Sequence, residues 1–298
     1  MGIIVRGPSD ARQIQTPPVC CSGTRVAARR RRGQRKLIPN LIDVARGPTV
    51  KQKAPSRAAV RQVYDRIAPH YAELYEGAGP VPHFYQTRLR LVSALLKRQR
   101  PGIVLDVGSG PGVIGDYLRP LGFRYVAADA SVGMAHECRR RGGTDTGRFS
   151  AAARAEALPF ADAAFDAVTV LGALEYMEAP ESALAECRRV LRPGGTLVVS
   201  LLNRSSLYRW LTRIRERRQP ARDPIAAVQF TRSEAEQALR RTGFEVRSVA
   251  YFDRELLPPA FAESHPRVAQ RVAAMFEKLP GGLFQWLGSA MLIEACRF

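Results

Sequence analysis

Asp106 is the penultimate residue of the apolar run "IVLDV", and Gly108, Gly110 and Gly112 follow in "GSGPG". A strand that ends on a carboxylate and runs into a backbone with few side chains lets a ligand approach the peptide groups closely. Asp129 closes a second run, "RYVAAD", 23 residues further on. A carboxylate at that place can accept hydrogen bonds from both hydroxyls of a ribose. Its plainer role would be to cap the next helix, which Ser131 could do equally well. Candidates for removing a proton are fewer. His70 and His83, upstream of the glycine turn, have the right ordinary pKa, whereas Glu175, just past "FDAVTVL", has the better place.

These residues need a scaffold, and the hydrophobic pattern supplies one. From residue 55 the chain becomes periodic, with Val60, Val63, Tyr64, Ile67 and Tyr71 on one helical face and a break or kink expected at Pro69. A second helix follows through Leu89, Leu91, Leu95 and Leu96, so residues 55–98 read as a helical cap. Strand signals then alternate with helix signals: "IVLDV", "RYVAAD", "FDAVTVL", "TLVVSLL", "FEVRSVAYF" and "SAMLIEACRF". The helix "PESALAECRRVL" should stop at "RPGG", and Thr231 with Glu234 forms a capping-box pattern. Near-continuous apolar strands alternating with helices predict an α/β fold, a doubly wound, mostly parallel sheet covered on both faces. Residues 203–230 and 253–288 interrupt the alternation as insertions on the acceptor side, and residues 1–54 read as a disordered basic extension.

The glycine turn does not meet the dinucleotide fingerprint, because the third position falls on Val113. Asp106 would sit poorly against a pyrophosphate but suits an ammonium group. S-adenosylmethionine is a ligand with an amino-acid end, a ribose and an adenine. "VLDVGSGPG", "AADAS", "AEALPFADAAFDAV", "LGALEYMEAPESALAECRRVLRPGGTLVVS" and "SAMLIEACRF" together resemble the class I S-adenosylmethionine-dependent methyltransferases. "VYDRIAPHYAELYE" is similar to the N-terminal helices of the small-molecule branch that includes ubiquinone and menaquinone biosynthesis methyltransferases. The resemblance runs from about residue 60 to residue 298. It implies a seven-stranded Rossmann-like methyltransferase sheet whose last strand is antiparallel, with residues 55–298 as the methyltransferase domain.

It also implies site roles. Asp106, Gly108 and Gly110 would line the methionine and ribose end, and Asp129 would hold the ribose. Ala130, Ser131, Ala155 and Glu156 would border the adenine, Leu171 and Gly172 would cover the sulfonium, and Tyr71 would reach the cofactor from the cap. Two departures stand out. Arg154 replaces the acid that relatives use against the adenine amino group, leaving the Glu156 side chain as a substitute. Tyr176 replaces a histidine of the quinone O-methylating group, so no metal ligand set is expected.

Net charge is +19, yet 41 of the 46 basic residues are arginine, a skew that reads as genome composition more than as a nucleic-acid footprint. Five cysteines without metal-ligand spacing fit a reducing, cytoplasmic setting, and no apolar run is long enough to span a bilayer. Within the first insertion, residues 205–218 form a basic amphipathic pattern with Leu207, Trp210, Leu211 and Ile214 on one face. Such a helix serves as a lid over an apolar acceptor or as a peripheral membrane contact. The function expected is methyl transfer to a small lipophilic acceptor, with oxygen favoured: a phenol, a quinone precursor or a secondary metabolite. An RNA methyltransferase, for which no base-gripping motif is present, and a non-catalytic cofactor-binding protein are the alternatives.

Overall fold

The computed structural model describes residues 4–6, 11–13, 56–142, 148–210, 227–253, 257, 261, 264–277 and 286–298. Within the N-terminal extension, strand β1 (Ile4–Arg6) pairs antiparallel with β2 (Ala11–Gln13), a short ladder that the aperiodic sequence did not announce. The remainder of residues 1–55 lies outside the described residues.

Helix α1 (Arg57–Tyr71) begins where the Ser56 side chain accepts a hydrogen bond from the Ala59 amide. Pro69 does not break it. The helix runs on to Tyr71 and tightens into a 3-10 turn over Ala72–Tyr75, although Pro69 has no amide to donate to the carbonyl four residues earlier. Helix α2 (Pro80–Leu96) opens on proline, which suits a first helical position. Its buried stripe, Tyr85, Arg88, Leu89, Val92 and Leu96, follows helical spacing and includes a charge.

Seven strands form the main sheet in the order β5-β4-β3-β6-β7-β9-β8. They are β3 (Ile103–Val107), β4 (Arg124–Asp129), β5 (Arg148–Ala152), β6 (Phe165–Leu171), β7 (Leu191–Leu202), β8 (Phe244–Phe252) and β9 (Ala290–Arg297). Strands β3 to β7 pair in parallel, and β9 runs antiparallel to both β7 and β8. The order reverses at β3, so the crevice at its carboxyl end is the switch point where such sheets bind ligands. Sequence periodicity missed β5, "RFSAA", and placed the start of β7 at Thr196 rather than Leu191. "RPGG" does end the preceding helix, α5 in chain order (Pro180–Val190), but it then lies inside β7 next to a register shift.

Alternation along β3 decides what faces what. Leu105 and Val107 join one buried layer with Phe160, Phe165 and Leu184. Val104 joins the other, under Leu89, Val92 and Leu96 of α2. Asp106 shares the Val104 face, so the cap covers it.

Of the two insertions, the described parts are tied together. The Asn203 amide donates to the Ser289 carbonyl at 2.8 Å, and the Leu207 amide to the Trp286 carbonyl at 2.8 Å. On the expected apolar stripe Leu207 is half-buried and Trp210 is 55% exposed, whereas Ser206, Tyr208 and Arg209 are buried. Leu211, Ile214 and the arginines beyond them lie outside the described residues.

Candidate functional site

At the carboxyl ends of β3, β4 and β6 the cap and sheet enclose a cavity of about 400 Å³. Asp106, Gly108, Gly110, Asp129, Ala130, Ser131, Ala155, Glu156, Leu171, Gly172 and Tyr71 all line it. Residues spread over more than a hundred positions of sequence therefore meet in one place.

The glycine turn has the conformation its composition demands. Gly108 has φ +68°, and a Cβ there would lie 2.3 Å from the Ala173 side chain, so no other residue fits. Asp129 organises the turn: its carboxylate accepts from the Gly110 amide at 2.7 Å and from the Ser131 amide at 2.8 Å. Ser131 takes the capping role, accepting from the Met134 amide at 3.0 Å. Asp129 is thereby freed from helix capping, and its remaining lone pairs face the cavity. Asp106 is held by the Thr169 hydroxyl at 2.7 Å and the Tyr125 hydroxyl at 2.8 Å, both on the strands flanking β3. Burial raises both carboxyls from 3.8 to about 6 against these hydrogen bonds.

Helix α1 roofs the cavity and is latched at two points. The Asp65 carboxylate accepts from the Ser131 hydroxyl at 2.6 Å and the Gly133 amide at 2.9 Å, reaching across to the helix that follows β4. Arg57 pairs with Glu178 at 2.9 Å and with Glu156 at 3.4 Å. Glu156 also meets Arg154 at 3.6 Å, so the carboxylate left over as a substitute adenine contact is itself held between two arginines.

Sequence reasoning missed Arg88. Its side chain lines the cavity, is 4% exposed, stacks over Tyr85 at 4.9 Å and leaves Nε without a hydrogen-bond partner among the described residues. Gly172, with φ +69°, makes room for it, since a Cβ there would stand 2.5 Å from the guanidinium. A charge on the buried stripe of an otherwise apolar helix was the available signal.

Among the proton-removal candidates, the structure brings only Glu175 to the site. Its carboxyl is 2% exposed; one oxygen accepts from the Leu202 amide at 3.0 Å and the other, Oε2, has no partner among the described residues. Burial pushes it from 4.5 to about 7. Glu175 lines a second, smaller cavity adjoining the first. His70 pairs with Glu73 at 3.0 Å on the exposed side of α1, outside the lining of both cavities. His83 is 2% exposed with its pKa lowered by burial and by Arg90, and lines neither cavity. Among the described residues no cluster of histidine, cysteine and carboxylate side chains could hold a metal ion.

The residues fit an amino-acid-bearing nucleoside. An anionic Asp106 and a cationic, unsatisfied Arg88 line the same cavity, as the two charges of an amino acid require. Asp129 supplies the acceptor for hydroxyls, and Met134, Ala130 and Ala155 border it with apolar surface.

Comparison with known proteins bears on the fold and the kind of reaction. Residues 105–199 match the family model described as a methyltransferase domain. Over 154 residues the chain is 35% identical to the malonyl-[acyl-carrier protein] O-methyltransferase of Enterobacter lignolyticus, covering 51% of this chain and 56% of that one. Over 151 residues it is 38% identical to the demethylmenaquinone methyltransferase of Renibacterium salmoninarum, covering 50% and 60%. The chain thus spans little more than half the length of these curated relatives. The fold resembles that of the magnesium protoporphyrin IX methyltransferase of Synechocystis PCC 6803, solved with bound S-adenosylhomocysteine, with a TM-score of 0.61, 15% identity and coverage of 82% and 100%.

Proposed function

We infer that this chain is a class I S-adenosylmethionine-dependent methyltransferase, and from that premise that it moves a methyl group to a small, lipophilic acceptor, with oxygen favoured as the target. The observation that carries the reading is the pairing of Asp106 and Asp129 at the ends of adjacent strands around one glycine turn, in a single cavity. When bound, S-adenosylmethionine supplies an electrophilic methyl group, so the protein need only orient the acceptor and take its proton.

Each lining residue then has a task. Asp106 accepts from the ammonium, with Arg88 beside it for the carboxylate. Asp129 accepts from the ribose hydroxyls while its bonds to Gly110 and Ser131 keep the turn in shape. Ala130, Ser131, Ala155 and Glu156 border the adenine, with Gly108, Gly110 and Tyr71 along the middle of the ligand. Leu171 and Gly172 cover the sulfonium at the end of β6. Glu175 is the catalytic candidate we carry forward; His70 and His83 would need a different arrangement of the cap to reach the site.

An apolar acceptor is supported by the surface near the first insertion, where Trp210 and Trp286 are 55% and 48% exposed and share a depression with Leu207. Peripheral membrane contact through residues 205–218 belongs to the same proposal. No helix among the described residues is long and apolar enough to cross a membrane.

Two measurements test the function. Calorimetry should show S-adenosylmethionine and S-adenosylhomocysteine binding to the purified chain. Lipid-extract mass spectrometry of cells with and without the gene should then show a product heavier by one methylene group. Failure of both cofactors to bind would refute the reading.

A further inference from the structure

Tyr64 and Tyr71 of α1 and Tyr176, in the turn after β6, line the main cavity and also the smaller one beside it. Arg88 and Gly172 share that double lining, so these residues mark where the two spaces adjoin. Tyr64 is the middle ring of the three. Its centroid lies 5.9 Å from that of Tyr71, with the planes at 61°, and 5.7 Å from that of Tyr176, with the planes at 80°. Rings that meet this steeply make a corner rather than a stack, and a corner can bring several rings to one group. Tyr71 also fixes where the corner lies. A Cβ added at Gly110, in the glycine turn that Asp129 holds, would stand 3.7 Å from its ring.

We propose that Tyr64, Tyr71 and Tyr176 form an aromatic cage for the sulfonium, through which the chain tells S-adenosylmethionine from its neutral product. The proposal rests on the cofactor reading and deepens it, adding Tyr64 and Tyr176 to the residues that recognise the ligand.

Position supports the assignment. Under the cofactor reading Asp106 takes the amino-acid end and Asp129 the ribose, and the sulfur of the ligand lies between those two ends. Leu171 and Gly172 cover it, and Gly172 lines both cavities together with the three rings.

Charge supports it as well. The face of an aromatic ring carries negative partial charge and attracts a cation, most strongly where water is excluded. Burial raises the pKa of Tyr64 and Tyr71 well above the ordinary 10, so both act as neutral phenols. Arg88, the guanidinium that lines both cavities, stacks on other rings, Phe84 at 5.4 Å and Tyr85 at 4.9 Å, and donates to the Tyr75 hydroxyl at 3.3 Å. Once the methyl group has left, the sulfur is a neutral thioether and the cage no longer attracts it. The spent ligand is then held more weakly than the fresh one at the same place.

The test is the binding of S-adenosylmethionine and S-adenosylhomocysteine to the full chain, measured by calorimetry. A desolvated cation–π contact is worth roughly tenfold in affinity. Tyr64→Leu and Tyr176→Leu should therefore each lower the preference for S-adenosylmethionine over S-adenosylhomocysteine by about that factor. Tyr64→Phe and Tyr176→Phe keep the rings and should keep the preference. A second readout needs no variant. Protons above ring faces are shielded, so the methyl resonance of S-adenosylmethionine should move upfield when it binds wild type. Equal weakening of both ligands in the leucine variants would reduce the rings to packing and overturn the proposal. Loss of the preference in the phenylalanine variants, or an unshifted methyl resonance, would overturn it too. Failure of wild type to bind S-adenosylhomocysteine would instead sink the cofactor reading itself.

Discussion

At the scale of single residues, three buried carboxyls govern how the protein responds to pH. Burial raises Asp106 and Asp129 to about 6, and the roles we propose for them, accepting from an ammonium and from ribose hydroxyls, require them ionised. Affinity for S-adenosylhomocysteine should therefore rise as pH rises from about 5 to 7 and level off above, with proton release on binding near pH 6. A flat calorimetric profile over that range would contradict these roles. Asp129→Ala should weaken binding by at least about tenfold, since each charge-assisted hydrogen bond is worth roughly 1.5–3 kcal/mol. The structure sharpens this expectation: alanine also releases the Gly110 and Ser131 amides, so Asp129→Asn, which keeps an acceptor, should cost less. Glu175 affects folding in the opposite sense. Its folded pKa of about 7 lies above the ordinary 4.5, so the folded chain holds a proton that the unfolded chain releases. Stability falls as pH rises across that window and is flat above it. Asp106 and Asp129, raised from 3.8 to about 6, add to that slope in the same sense. Glu175→Gln should therefore reduce it, chiefly above about pH 6, and be the more stable form at about pH 8, by on the order of 2–3 kcal/mol in denaturant melts. If the variant tracks wild type at both ends of the window, the burial cost assigned to Glu175 is wrong.

Among the elements, α1 is the one that cofactor entry must contend with. The Asp65 carboxylate substitutes for solvent at the amino end of α4 (Val132–Gly142), and so couples the roof of the cavity to its floor. Asp65→Ala should loosen that roof: faster dissociation of S-adenosylhomocysteine by stopped flow, with little change in the thermal midpoint. A midpoint that collapses instead would mean α1 belongs to the core. The elements also show where sequence reading reaches its limit. β3, β4, β6 and β9 were legible because strands buried on both faces are written as near-continuous apolar runs. β5 was not, since it is a short strand at the sheet's edge with one large apolar residue. Asp106 and Asp129 could be found because strand ends and spacing mark them. The latch from Asp65 to Ser131 could not, because residues 66 positions apart meet only when helices pack; Arg88 was marked only by being a charge on a buried stripe.

For the whole molecule, the question is how the lipophilic acceptor we propose would reach a cavity roofed by α1. The exposed tryptophans lie beside the acceptor-side insertions, and tryptophan favours the membrane–water boundary. Trp210→Ala with Trp286→Ala should reduce co-sedimentation with anionic vesicles while leaving cofactor affinity unchanged. If wild type does not sediment with vesicles at all, the membrane route is refuted and acceptors arrive from solution.

The position of β9 has a consequence for how the chain is made. Residues 290–297 lie between β7 and β8 in the sheet, although both neighbours precede them in sequence. As a ribosome delivers the chain, β7 and β8 must wait without their shared partner, each presenting a row of unpaired peptide groups. Such edges template aggregation. The half of the sheet built from β3 to β6 can pair as it emerges, whereas the other half closes only when the final strand slides between two that are already waiting. A nascent chain stalled before residue 290 should therefore bind chaperones avidly, and release of those few further residues should end that dependence.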